Sequence, residues 1–110
     1  MKIDGVLQKI TALIVQSCNP ERIVLFGSHA KGQANLESDL DILVIGDFHK
    51  SRFLRGQELR ELLHFYPIRI DLHVVTQEEV DAESVRPFGF LSSALASGMC
   101  LYLRENMRVP

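Results

Sequence analysis

The segment SDLDILVIG, residues 38–46, places two aspartates at the start of an apolar run. Leu40 to Ile45 is rich in side chains that favour extended structure and stops at Gly46, which predicts a strand. Because successive side chains of a strand point to opposite faces, Asp39 and Asp41 project from the same face. Two carboxylates this close repel each other unless a cation lies between them. Oxygen-only ligands favour Mg²⁺ or Mn²⁺ over zinc, so the segment also predicts a metal site.

A second strand pattern supplies a third carboxylate. Apolar residues alternate from Ile68 to Val74, and the opposite face carries Asp71 and His73. An isolated carboxylate in an apolar strand is costly to bury, and metal coordination would remove that cost. Three carboxylates can hold two divalent ions about 3.5–4 Å apart. Asp71 is therefore predicted to act together with the two aspartates of the earlier strand.

A glycine-rich segment lies between the aspartates and a short apolar run at residues 23–26. A glycine-rich turn between a strand and a short helix offers backbone N–H groups to a phosphate, and the hydroxyl of Ser28 adds a donor. A P-loop has the same gap between its glycines, here Gly27 and Gly32, but needs a lysine and a hydroxyl residue directly afterwards. Glutamine and alanine follow instead, which excludes a P-loop.

The rest of the chain alternates helical and strand patterns. Asp4 is positioned as an N-cap for the first helix, and an apolar stripe that includes Phe53 and Leu54 predicts that a second amphipathic helix faces the core. The first predicted helix runs from residue 3 to the turn at Asn19-Pro20, and the second runs from residue 53 to near Pro67. Shorter helices are predicted at residues 77–82 and 88–96, with a helical turn at 30–31. The predicted strands cover residues 23–26, 40–45, 68–75 and 99–103.

These elements predict an α/β (α+β) fold, a small mixed β-sheet with helices mainly on one face. We expect the other face to be half-open. Leu43, Ile45 and Val75 lie on it beside the aspartates, where they would suit contact with a partner or with a second copy of the chain.

Composition and net charge indicate the number of domains and argue against some classes of protein. The chain has 110 residues, 46% of them hydrophobic, and a net charge of −2, which fits one domain over residues 1–110. The negative charge argues against nucleic-acid binding through general basicity, and Arg52, Arg55 and Arg60 are expected to form a solvated helix face. We see no signal peptide, no membrane span and no disulfide framework, so we expect a cytoplasmic protein.

Ordinary structural roles stay open for the acidic residues. Asp39 and Asp41 could serve a turn or a cap, because Ser-Asp is common there. Asp71 could be a surface residue that pairs with Arg69. His73 lies on the same strand face as Asp71 and could touch a substrate, although a satisfied surface histidine is more common.

Taken in order, the motifs resemble the DNA polymerase beta superfamily of nucleotidyltransferases, and most closely its minimal nucleotidyltransferases. The resemblance implies a polymerase-beta-like fold and a site that binds ATP or another NTP together with two Mg²⁺ ions, for which Mn²⁺ could substitute. A basic residue at position 31 fits the family pattern, although that side chain could equally be solvated. The residues that carry the resemblance are Gly27, Ser28, Gly32, Ser38, Asp39, Leu40, Asp41 and Asp71. The implied nucleotide-binding residues are Gly27, Ser28, Lys31 and Ser38, and the implied catalytic and metal-binding residues are Asp39, Asp41 and Asp71.

The same resemblance suggests an acceptor. Minimal nucleotidyltransferases are often paired with a helical HEPN-domain protein, and in such toxin–antitoxin pairs they adenylylate the partner, commonly on tyrosine. We therefore expect transfer of AMP from ATP to a HEPN-type protein. Two alternatives stay open: transfer to a small molecule or an RNA end held by a homodimer or a partner subunit, and a non-catalytic antitoxin that acts by binding alone.

Overall fold

A computed structural model describes residues 3–35, 38–85 and 89–104. The chain alternates helices and strands, as the sequence predicts. The elements are α1 (Ile3–Cys18), β1 (Arg22–Phe26), α2 (Gly27–Ala30), β2 (Leu40–Ile45), α3 (Arg52–Leu63), β3 (Ile70–Val75), α4 (Gln77–Ser84), α5 (Phe90–Ser97) and β4 (Met99–Leu103). No helix within these described ranges is long and apolar enough to cross a membrane.

The four strands form one mixed sheet in the order β3-β2-β1-β4. β1 is antiparallel to both β2 and β4, whereas β2 and β3 are parallel. A parallel pair needs a crossover connection, which α3 provides between β2 and β3. The predicted small mixed sheet is confirmed, and β3 and β4 are its two edge strands.

One face of the sheet carries the larger part of the core. The alternate residues Leu40, Ile42 and Val44 of β2 are fully buried there, together with Ile10 and Ile14 of α1. Leu59 and Leu63 from α3 pack into the same cluster. The two longest helices therefore cover this face, and the apolar alternation in β2 determines which side of the strand they cover.

The opposite face is not half-open, so that prediction is wrong. Leu43, Ile45 and Val75 are completely buried. They pack with Val80 of α4, and with Leu91 and Ala94 of α5. Helices of eight residues are enough to close this face, because the apolar patch on the sheet is only a few residues wide. Leu43, Ile45 and Val75 therefore do not form a surface for a partner.

Several element ends differ from the predictions. Asp4 lies in the first turn of α1 rather than at its N-cap, and β3 begins at Ile70 rather than at Ile68. Phe53 is 71% exposed and Leu54 is also exposed, so only the later part of the α3 stripe is core. The predicted start of the last helix, Phe88, lies outside the described residues.

Arg55 is not part of a solvated face, because its exposure is only 8%. Its guanidinium donates to Glu79 at 2.8 and 3.3 Å and to the carbonyl of Val74 at 3.3 Å, and its Nε donates to the carbonyl of Lys50. Glu79 also closes the capping box of α4 with Thr76. One buried arginine thus joins α3, β3 and the start of α4.

The Arg55–Glu79 pair should stabilise the fold more than the exposed pair between Arg52 and Glu83 does. Burial raises the pKa of Glu79, but the Arg55 hydrogen bond, the Thr76 N–H and the nearby arginine charges outweigh it and leave the pKa lowered. A lowered carboxylate pKa stabilises the fold at neutral pH, and this stabilisation is lost as pH falls through the folded-state pKa.

We predict that Arg55→Met lowers the free energy of unfolding by about 2 kcal/mol at pH 7, because it leaves a partly buried carboxylate without its donor. The matched variant Arg52→Met should cost no more than about 0.5 kcal/mol. Urea unfolding at pH 7 and at pH 4 measures both. Equal losses for the two variants, or a larger loss for Arg55→Met at pH 4 than at pH 7, would contradict this assignment.

Candidate active site

Two of the three predicted aspartates are direct neighbours across the parallel strands. Asp41 of β2 is the register partner of Asp71 of β3, so both side chains project from the same face of the sheet. Asp39 comes directly before β2, and its negative charge acts on Asp41. On its other side, Asp41 is the register partner of Phe26 in β1. The sheet therefore brings the three carboxylates to one end of one face.

Asp41 is in an environment that disfavours its charged form. Its burial raises the pKa, and the negative charges of Asp71 and Asp39 raise it further, while His73 and His29 lower it to a smaller extent. Like charges held together in this way favour a bound cation.

The backbone of Gly27 approaches the Asp41 carboxylate too closely for any side chain. A Cβ atom at Gly27 would overlap the Oδ2 atom of Asp41, and the residue has a φ of +76°. Both facts require glycine, because L-residues rarely adopt positive φ. The turn between β1 and α2 therefore packs against Asp41, the central carboxylate of the predicted metal site.

Hydrogen bonds hold the described residues on either side of positions 36–37. Gln33 N donates to the carbonyl of Ser28 at 2.9 Å, and Lys31, whose side chain is exposed, donates its N–H to the carbonyl of Gly27 at 3.2 Å. The Ser38 hydroxyl accepts from Asn35 N at 2.9 Å and lies 3.3 Å from Asn35 Oδ1. Ser28 thus directly follows Gly27, which contacts Asp41, and Lys31 lies one helical turn later, whereas the Ser38 hydroxyl bonds to Asn35.

Asp39 and Asp71 each contact a basic side chain. Arg69 Nε lies 3.8 Å from Asp39 Oδ1, and His73 Nε2 lies 3.4 Å from Asp71 Oδ2. Arg69 thus pairs with Asp39, not with Asp71 as the surface alternative supposed. Within residues 3–35, 38–85 and 89–104, no group of three His, Cys, Asp or Glu side chains is arranged to hold a metal ion.

The donor chemistry nevertheless fits Mg²⁺, because all three ligands are carboxylates on one sheet face. Asp71 has 54% of its side chain exposed and Asp39 is also partly exposed, so both have room to turn. Asp41 is held against Gly27. The three residues fit a divalent ion if Asp39 is released from Arg69 and Asp71 is released from His73.

Sequence reasoning missed an aromatic cluster behind the carboxylates. The rings of Phe26 and Phe90 meet edge to face at 5.4 Å, and the His73 ring lies 4.6 Å from Phe90 and 5.6 Å from Phe26. His29 lies with its Nε2 3.2 Å from the carbonyl of Ser38. Through these contacts, His73 supports Asp71 and His29 supports the segment before Asp39. Only His73 had a sequence signal, its two-residue spacing from Asp71.

The family model for the nucleotidyltransferase domain matches residues 7–93, which is most of the chain and includes all three aspartates. The chain belongs to the nucleotidyltransferase family. The resemblance stated from the motifs is confirmed by this match.

Two relatives of this nucleotidyltransferase come from Methanocaldococcus jannaschii, and both are named as candidate protein adenylyltransferases. One is 34% identical over 89 residues, which covers 76% of this chain and 59% of the relative. The other is 33% identical over 82 residues, which covers 74% of this chain and 78% of the relative. The chain therefore spans little more than half the length of the first of these relatives.

Solved structures share the fold of this nucleotidyltransferase at low identity. A candidate nucleotidyltransferase from Sulfolobus solfataricus has a TM-score of 0.62 at 21% identity, covering 96% of this chain and 84% of its own. A toxin–antitoxin structure with AMP-PNP has a TM-score of 0.57 at 21% identity. A tri-AMPylated Shewanella oneidensis HEPN toxin in complex with an MNT antitoxin gives 0.51 at 17%. Each of the latter two matches covers 91% of this chain and 75% of the other.

The contact between Gly27 and Asp41 predicts a specific effect of Gly27→Ala. The matched variant is Gly32→Ala, because Gly32 also has positive φ, +71°, but no atom lies within 4 Å of the position that its Cβ would occupy. Both variants should lose about 1–2 kcal/mol of stability from the left-handed backbone. Only Gly27→Ala should also displace Asp41 and reduce nucleotidyl transfer about 100-fold or more. Equal transfer rates for the two variants would contradict a role for this contact.

Asp41→Asn should stabilise the protein in EDTA at pH 7. Because the pKa of Asp41 is raised in the folded state, ionisation of this carboxyl above its pKa opposes folding, and a neutral isostere relieves the effect. The gain in melting temperature should shrink as pH falls and the wild-type carboxyl becomes protonated. Asp47→Asn, at an exposed position, is the control. A lower melting temperature for Asp41→Asn at pH 7 would overturn this view of the site.

Proposed function

We propose that this nucleotidyltransferase moves AMP from ATP to a hydroxyl group of a HEPN-type protein partner and acts as an antitoxin. The observation that carries the proposal is the placement of Asp41, packed against Gly27 on one side and in register with Asp71 on the other. The turn that we propose to bind phosphate thus contacts the carboxylate that we propose to bind metal. The names of the two relatives and of the HEPN-toxin complexes support a protein acceptor.

The turn after β1 has the groups that a triphosphate needs. Gly27 and Ser28 offer backbone N–H groups and a hydroxyl beside Asp41, and the exposed ammonium group of Lys31 can reach a phosphate oxygen. Ser38 was predicted to take part, and its hydroxyl would have to leave Asn35 to do so. We infer that Gly27, Ser28 and Lys31 carry most of the phosphate contact.

The three carboxylates would hold Mg²⁺, or Mn²⁺ in its place. Asp39 and Asp41 would bind two ions, and Asp71 would complete the second site. Bound Mg²⁺ would neutralise the triphosphate and orient the acceptor hydroxyl. Bound ions would stabilise the charge of Asp41 most, because burial and the negative charges of Asp71 and Asp39 disfavour its ionised form.

In the transfer step, the acceptor oxygen forms a bond to the α-phosphorus while the bond from that phosphorus to pyrophosphate breaks. The hydroxyl proton passes to the carboxylate of Asp71, whose exposed side chain can meet an acceptor from outside. Without the ions, His73 lies 3.4 Å from Asp71, and the His73 ring contacts the rings of Phe26 and Phe90. Pyrophosphate leaves from the Gly27 side.

A second candidate function is neutralisation of the partner by binding alone. It is favoured by the pairing of Asp39 with Arg69 and Asp71 with His73, which are contacts that inert surface carboxylates also make. Asp41→Asn separates the two functions. If this variant still neutralises the partner, catalysis is not the mechanism.

Transfer from isotope-labelled ATP tests the proposal. Purified protein is incubated with Mg²⁺, a lysate of its source organism, and ATP labelled at either the α- or the γ-phosphate. We expect only α-label to reach a protein band, and we expect EDTA or the double variant Asp39→Asn/Asp41→Asn to abolish transfer. Label that appears on RNA or on a small molecule would replace the protein acceptor with that alternative. Full transfer in excess EDTA would contradict the metal requirement.

A further inference from the structure

A cleft of about 390 Å³ opens between the C-terminal end of α3 and the edge strand β3. Its floor is apolar and includes Leu63 and Leu72, which are buried in the core. Its rim carries Arg60, His64 and Arg69. Since β3 is a terminal strand of the sheet, the cleft lies at the edge of the sheet.

The charges in this cleft differ from those of the whole chain. The chain has a net charge of −2, yet two guanidinium groups line the cleft, and no aspartate or glutamate among the described residues does. The carboxylate that Arg69 contacts is that of Asp39, at the active-site end. The cleft therefore favours an anionic group.

The basic rim is held in place by contacts with the fold. Arg60 donates to the carbonyl of Leu72 at 3.3 Å, and its Nη1 lies 3.0 Å from the position that a Cβ on Gly56 would occupy. A glycine one helical turn earlier thus lets the guanidinium lie flat against α3. His64 stacks with the highly exposed ring of Phe65 at 4.0 Å. Arginine and aromatic side chains grouped in this way are typical of protein–protein hot spots.

Arg69 links the cleft to the active site. Its side chain is 81% exposed, lines the cleft and lies 3.8 Å from Asp39. Asp71 follows two residues later, at the start of β3. Ile70 and Leu72 line the cleft from the α3 face of β3, whereas Asp71 projects from the opposite face. Because β3 is an edge strand, a chain segment bound in the cleft would reach the Asp71 carboxylate by passing around this edge beside Arg69.

We propose that this cleft binds an acidic segment of the protein acceptor next to the hydroxyl that is modified. This inference rests on the proposed protein-adenylylation function and deepens it. A protein fits better than RNA, because two arginines over an apolar floor suit a carboxylate flanked by apolar side chains. A nucleic-acid backbone requires a longer basic track, which a net charge of −2 does not favour.

Acceptor kinetics with charge-reversed enzyme test this assignment. The probe is the protein that receives α-label in the lysate, purified and titrated at saturating MgATP. Arg60→Glu should raise the KM for this protein about tenfold, leave kcat within twofold and leave the Kd for MgATP unchanged. The matched control Lys9→Glu, which makes the same charge change on an exposed position of α1, should behave as wild type.

A second measurement guards against misfolding of the Arg60→Glu variant. Arg60→Gln keeps a hydrogen-bond donor for Leu72 and should still raise the acceptor KM about threefold. With wild-type enzyme the acceptor KM should rise with NaCl concentration, and with Arg60→Gln this rise should be weaker. An unchanged KM and an unchanged salt dependence in a folded Arg60 variant would overturn the cleft assignment alone. Absence of any α-label on protein with wild-type enzyme would overturn the proposed function instead, and label on RNA would overturn the choice of a protein acceptor.

Discussion

The contact between the Asp41 carboxylate and the backbone of Gly27 constrains the rest of the site. It joins the end of β1, the start of α2 and the start of β2 at one point, and it leaves no space for a side chain at position 27. Asp41 in turn lies beside Asp71 across the parallel strands. Burial and two neighbouring negative charges make this carboxylate costly to ionise without a cation. The fold thus keeps an unfavourable electrostatic arrangement that bound metal ions would relieve.

Alternation in the strands made most of the site predictable. The two-residue period of residues 38–45 and 68–75 assigned each aspartate to a face, and the parallel pairing of β2 with β3 then placed Asp41 beside Asp71. The close approach of Gly27 to Asp41 could not be derived in the same way. It depends on the antiparallel pairing of β1 with β2, which is a tertiary relation between separate segments.

The errors share a physical cause. Leu43, Ile45 and Val75 were expected on a half-open face, because the sequence predicted the helices α4 and α5 but not the face of the sheet that they cover. Arg55 was expected in solvent with its charged neighbours on α3, but a guanidinium with four hydrogen bonds to Lys50, Val74 and Glu79 can be buried. In both cases the partner lies on an element distant in sequence, so a local pattern carries no signal for it.

A crystal structure with Mn²⁺ and a non-hydrolysable ATP analogue would test directly whether the three carboxylates form a metal site. The anomalous difference density would locate the manganese ions. We predict manganese peaks within coordination distance of the Asp39, Asp41 and Asp71 carboxylates, with Asp39 released from Arg69 and the triphosphate against Gly27 and Ser28. Manganese bound elsewhere, or a triphosphate bound with Asp39 still paired to Arg69 and no metal at Asp41, would contradict this prediction.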